Sequence, residues 1–166
     1  MSLGEFRGFD RDPTMIRDTT ELAAVRSSWA TVRNIQAMLA THATAPPLSP
    51  FGFLRSEDYD NAAFSLLVLN AFSVLEEVLE QLRHDGVFVS PRRTLAELMK
   101  NSIGAVAWTN FAAVDAARGT RNRVSHEQLM LSPSECNEIL DLIEEELVGW
   151  LVLAGPICGN YSISIR

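Results

Sequence analysis

Cysteine is scarce in this chain: among 166 residues only Cys136 and Cys158 occur, with no CxxC pair and no third partner. That pattern speaks against a zinc site or a dithiol redox motif and fits a reducing compartment. Glycine and proline are modest, at 9 and 7 residues, while apolar residues make up 47% of the chain, so the composition is globular and not that of a disordered tail. No glycine-rich phosphate loop appears, nor any His or Cys pair with metal-ligand spacing, so NTPase and metalloenzyme chemistry has no support and neither cofactor nor metal is expected. Positive charge is also in short supply. Fourteen Lys and Arg against 21 Asp and Glu leave a formal charge of -7. Bulk attraction of a polyanion needs a basic surface, so any nucleic acid would have to be gripped locally. The N-terminal "MSLGEFRGFDRDP" has no apolar core. Polar residues interrupt the apolar runs before membrane-spanning length, so the expectation is a soluble cytoplasmic protein without a membrane partner.

What is present is helical periodicity. Asp18 and Glu21 have capping-box spacing, and behind them Leu22, Val25, Trp29, Val32, Ile35 and Leu39 recur at three and four residues, which predicts an amphipathic helix to about residue 42. "ATAPPLSPFGF" breaks the period and leads to a Ser56 cap. Residues 57–84 are apolar nearly all round in "AAFSLLVLNAF" and one-faced in "SVLEEVLEQL", the pattern of a central helix stopped by Asp85-Gly86. Ser90-Pro91 is expected to open a short helix through Leu95, Leu98 and Met99. A fourth helix is expected from about Ile103 to Arg118, bent or interrupted at Gly119. "SPSE" at 132–135 is a capping box with proline at the first helical position, and the helix it starts is expected to run on to Gly155-Pro156. The fold class is therefore all-α, a bundle of four main helices plus a short one. The chain divides into a flexible segment 1–18, a helical domain 19–154 and a tail 155–166 whose "YSISI" alternates like an extended strand.

Against this acidic background, "RGTRNRVSH" at 118–126 gathers three arginines, an asparagine and a histidine with no acid. Arg121, Asn122 and His126 in that order resemble the Arg-Asn-x-x-x-His signature of HEPN domains. By composition alone, the triplet is expected roughly 0.03 times in such a chain, counting the gap lengths the family allows. The layout is similar too: a long apolar helix with a "VLEEVLEQL" ending, a motif late in the chain and a closing helix behind it. The resemblance implies a metal-independent endoribonuclease that uses the RNA 2′-hydroxyl as nucleophile and leaves a 2′,3′-cyclic phosphate. It also implies a homodimer with a composite site, and a toxin or defence effector restrained by an antitoxin, whereas a non-catalytic relative would sit beside a partner such as a nucleotidyltransferase.

The residue types suit that chemistry. A histidine takes or gives a proton near neutrality, so His126 is the candidate acid–base group. Arg121 carries a permanent charge on a planar fork matched to phosphate oxygens. Asn122 lies one turn before His126 and is a candidate to position the imidazole or the phosphate. Arg121 and His126, five apart, stand about 140° round from each other on a regular helix, so a distorted turn after Gly119 or a second copy of the motif would have to bring them together. Arg118 and Arg123 are candidates for extra phosphate contacts, and Glu76 and Glu77 for carboxylates that hold Arg121 or His126. The competing reading is a non-catalytic relative that clamps a nucleotide or partner, or a solvated helix end whose arginines pair with acids such as Glu127. His42 and His84 close helices and suit their C-terminal dipoles. Ser125 has no nucleophile elbow around it. Glu135, Glu138, Asp141, Glu144, Glu145 and Glu146 are expected to form the wet face of the last helix, and Trp29, Trp108 and Trp150 to be core.

Overall fold

In the computed structural model, residues 15–44 and 57–154 are described, without the side chains of 42–44 and 57–59. The "APPLSPFGF" connection, the Ser56 cap, Cys158, Gly155-Pro156 and the "YSISI" tail lie outside the described residues, as does the side chain of His42. Five helices follow in order: α1 (Thr19–Thr44), α2 (Glu57–His84), α3 (Leu95–Ser102), α4 (Phe111–Glu127) and α5 (Pro133–Gly149). No strand occurs among the described residues, and Ile103 and Val106 form only an isolated bridge.

α2 is the axis. It packs on α1, α3, α4 and α5, whereas α1 touches neither α3 nor α4. This is why its apolar residues run all round: Phe64, Leu67, Phe72, Leu75, Leu79 and Leu82 are all buried. An 18-residue window within its stretch Asp60–His84, of mean hydropathy 1.7, makes the helix long and apolar enough to cross a membrane by length and composition alone. Here 56% of that window is buried inside the fold. α2 stops at Gly86, whose φ of 78° lets Val87 N–H bond back to Leu82 O at 3.0 Å in a Schellman closure.

Asp18 caps α1 as expected, its Oδ1 accepting from Thr20 N–H at 2.7 Å and Glu21 N–H at 3.2 Å. Leu22, Val25, Trp29 and Val32 are buried, but Ile35 is exposed. Near that level Gln36 already meets Asn137 at the start of α5, so among the described helices the rest of α1 leans on α2. Just ahead of the helix Ile16 is buried and Arg17 N–H bonds Asp85 Oδ2 at 3.0 Å, so these two residues pack with the helical body.

Three helix boundaries differ from expectation for tertiary reasons. α3 begins at Leu95, not at Ser90-Pro91, because the Ser90 hydroxyl donates to Arg92 O and accepts from Asn101 Nδ2, tying the loop to the far end of α3. Residues 103–110 are not helical. Gly104 takes φ 85°, the Trp108 indole donates to Ser102 Oγ at 2.9 Å, and the Trp108 ring meets Phe111 and Trp150 edge to face. α5 keeps its Ser132–Glu135 capping box with Pro133 at the first position. It ends at Gly149, ahead of the expected Gly155-Pro156, where Trp150 is buried, Leu151 turns left-handed at φ 58° and Val152 N–H returns to Leu147 O.

Candidate functional site

α4 carries the motif, and one buried acid sets where α4 begins. Glu146 of α5 is fully buried and accepts from Thr109 N–H at 2.8 Å and Asn110 N–H at 2.5 Å, while neighbouring Glu145 accepts from Asn110 Nδ2 at 3.2 Å. A carboxylate at the free N–H groups of a helix start is favoured both by hydrogen bonding and by the helix dipole. Glu146 was expected on the wet face of α5 and is instead the anchor of α4. Glu144 departs from that face as well. Its carboxylate accepts from Arg33 and from the Trp29 indole, and Arg33 also holds Asp141 and Gln36, so a polar clasp joins α1 to α5.

From Phe111 to Glu127, α4 is one uninterrupted helix. Gly119 neither breaks nor bends it out of helical conformation, and a Cβ there would meet nothing within 4 Å. Val114 and Ala117 are buried and Val124 is half-buried, which fixes the inward stripe. Arg121 falls on the same stripe and is half-buried. Its Nη1 donates to Asn122 Oδ1 at 3.2 Å, and its Nε is buried without a hydrogen-bond partner. His126 stands exposed in the last turn, ahead of Gln128, whose φ of 56° closes the helix. Because the helix is regular, about 140° still separates Arg121 from His126, and within one chain the two do not converge. The expected distortion after Gly119 does not occur.

The flanking arginines are engaged. Arg118 Nε bonds Asp115 Oδ1 at 2.8 Å, and Arg123 Nε meets Glu127 Oε2 at 3.3 Å, so each sits in a local pair of small energetic worth. No hydrogen bond or ion pair joins Glu76 or Glu77 to Arg121 or His126 among the described residues. Glu77 is exposed in the α1–α2 cleft, away from α4. His84 is exposed at the end of α2, with Nδ1 3.9 Å from Asp85 Oδ1. Cys136 is buried, donates to Phe64 O at 3.1 Å, and burial pushes its thiol up to about 12. No group of three His, Cys, Asp or Glu fit to hold a metal ion occurs among the described residues.

Neither family models, nor curated proteins, nor solved structures gave a match to this chain. The site therefore has to be read from its own chemistry: one arginine with an unused buried donor, an amide beside it, and one free imidazole at the end of the same helix. Sequence reasoning missed Glu146 because it lies in a run of three glutamates in which periodicity alone does not mark a buried member.

Proposed function

We propose that this chain is a metal-independent endoribonuclease of the HEPN type, acting as a homodimer. The observation that carries the reading is the buried, unpartnered Nε of Arg121, set beside Asn122 on the helix that ends in a free His126. A buried donor without an acceptor is costly, and a phosphate oxygen is an acceptor that matches it in charge and geometry.

Because Arg121 and His126 of one chain point apart, the active unit takes two copies with their α4 ends facing across one cleft. The RNA 2′-hydroxyl gives its proton to one His126, and the freed oxygen attacks the adjacent phosphorus. As the bond from phosphorus to the 5′-oxygen breaks, the leaving oxygen takes a proton from the other His126. Products are a 2′,3′-cyclic phosphate and a 5′-hydroxyl. Arg121 steadies the charge that grows on the non-bridging oxygens, and Asn122 holds the guanidinium in place. In the cytoplasm such a nuclease is a toxin or defence effector that needs a restraining antitoxin beside it.

The divergence of Arg121 and His126 within one chain favours a second reading, a non-catalytic relative that clamps a nucleotide or partner with Arg121 alone. One experiment separates them. RNA with a single ribose at the cut site should be cleaved to the cyclic phosphate, and the 2′-deoxy version should bind and stay whole. His126→Ala should lower cleavage by about 10² to 10⁴-fold and Arg121→Ala should weaken both turnover and binding, with Arg123→Ala much milder. If neither oligomer is cut and only Arg121→Ala reduces binding, the clamp is the function.

A further inference from the structure

A different part of the molecule carries a second surface. α1 and α2 leave an open cleft of about 370 Å³ between them, and α1 takes no part in holding α4. Its floor is Val32 and Val74, and its walls are the short polar side chains Ser28, Thr31, Asn70 and Ser73. The two helices run antiparallel, since Arg17 at the start of α1 bonds Asp85 at the end of α2, which sets Ser28 nearer Glu77 and Ile35 nearer Asn70. Along α1 the stripe continues at helical spacing from Thr31 and Ile35 to Met38, and along α2 from Ser73 and Asn70 back to Leu66. Among the described residues Met38 at that end is 62%, Leu66 60% and Ile35 36% exposed, three of the seven large apolar side chains left exposed.

Two further properties specify the occupant. First, the cleft is a shallow trough between two helices with an apolar floor, the shape that a third helix fills by ridge-into-groove packing. Second, the one charged side chain in its lining is an acid. Glu77 lines it, exposed Glu21 lies on the same α1 stripe one turn beyond exposed Ala24, and no lysine, arginine or histidine is among the lining residues. On a chain of net charge -7, a second copy would bring more acid to an acidic end. A basic helix is drawn to it instead.

We propose that the α1–α2 cleft is a docking groove for a basic amphipathic helix of a partner protein. Its apolar residues, at i, i+4 and i+7, cover Ile35, Met38 and Leu66, and its lysines or arginines lie over Glu77 and Glu21. The inference rests on helices other than α4 and stands or falls separately from the nuclease reading.

The probe is a fluorescein-labelled stapled helical peptide with leucines at i, i+4 and i+7 and lysines in the flanking turn, titrated with the full chain and read by anisotropy. Binding should weaken at least about tenfold with Met38→Asp and with Glu77→Lys, while circular dichroism stays unchanged. Glu77→Lys should in turn bind the same peptide with glutamates in place of lysines better than the wild-type chain does. The proposal is overturned by equal affinity for the lysine and glutamate peptides, by wild-type affinity in both variants, or by no binding at millimolar peptide. A doubling of mass in light scattering that Met38→Asp abolishes would also overturn it, by giving the cleft to a second copy.

Discussion

Replacing Glu146 by Gln changes almost no volume and removes one charge, so it isolates what the buried carboxylate does. Its two oxygens each accept one backbone N–H, from Thr109 at 2.8 Å and Asn110 at 2.5 Å, and the side chain is 0% exposed. Glutamine keeps one acceptor oxygen, and its amide NH₂ must then face the other backbone N–H, donor against donor, with no water to relieve it. A hydrogen bond to a charged group contributes about 1.5–3 kcal/mol and an unmet buried donor costs a similar amount, so the expected loss is roughly 2–4 kcal/mol. Against a total stability of about 5–15 kcal/mol this is large. At roughly 2–4 °C per kcal/mol, the melting midpoint should fall by about 5–15 °C. The loss should be visible locally as well. Hydrogen exchange at Ala113 and Val114, which bond back to Asn110 O, should speed up more than exchange in the middle of α2. Thermal and urea unfolding followed by circular dichroism would measure the first effect and exchange mass spectrometry the second. A midpoint within about 1 °C of wild type would refute the claim that this carboxylate anchors the start of α4.

Three further outcomes are expected. In a Cys158→Ser background Cys136 should stay unreactive to a thiol reagent at pH 8 in the native state and react at once in urea, because its burial raises the pKa to about 12. Having a folded pKa above the ordinary 9.0, the thiol contributes stability that is whole below pH 9 and is lost as pH climbs toward 12. The Ser132 hydroxyl and then the Ser132 N–H lower the Glu135 pKa from its ordinary 4.5, so this cap contributes above that value and fades as pH falls through the lower folded pKa. Ser132→Ala should accordingly cost about 1 kcal/mol at pH 7 and clearly less at pH 3, measured by urea unfolding. Finally, RNA cleavage should persist in excess chelator, since the proposed chemistry needs only His126 and Arg121; loss of activity that Mg²⁺ restores would argue for a different mechanism.

Much of this protein was legible from local pattern. The period of Leu22, Val25, Trp29 and Val32, the all-round apolar run of α2, the Asp85-Gly86 stop and the SPSE box each depend on residues within a turn or two of one another, and local chemistry settles such features. The Arg121, Asn122 and His126 positions on one helix were equally readable, because spacing fixes azimuth once the helix is continuous. Continuity itself was not readable. Gly119 weakens a helix only by about 1 kcal/mol, and the packing of Val114, Ala117 and Val124 outweighs it. Nor could the chain show alone that 103–110 would leave the helix, since that depends on Glu146, 36 residues from Asn110, and on Trp150 offering an edge to Trp108. The same holds for Glu144 on Arg33 and for Ile35 left bare where α5 begins. The sequence by itself determined that the chain is all-helical, roughly where each helix lies and which residue types gather on α4. Tertiary structure decided which acids are buried and which apolar side chains stay exposed, because burial belongs to a pair of surfaces and only one of them is written in any local stretch.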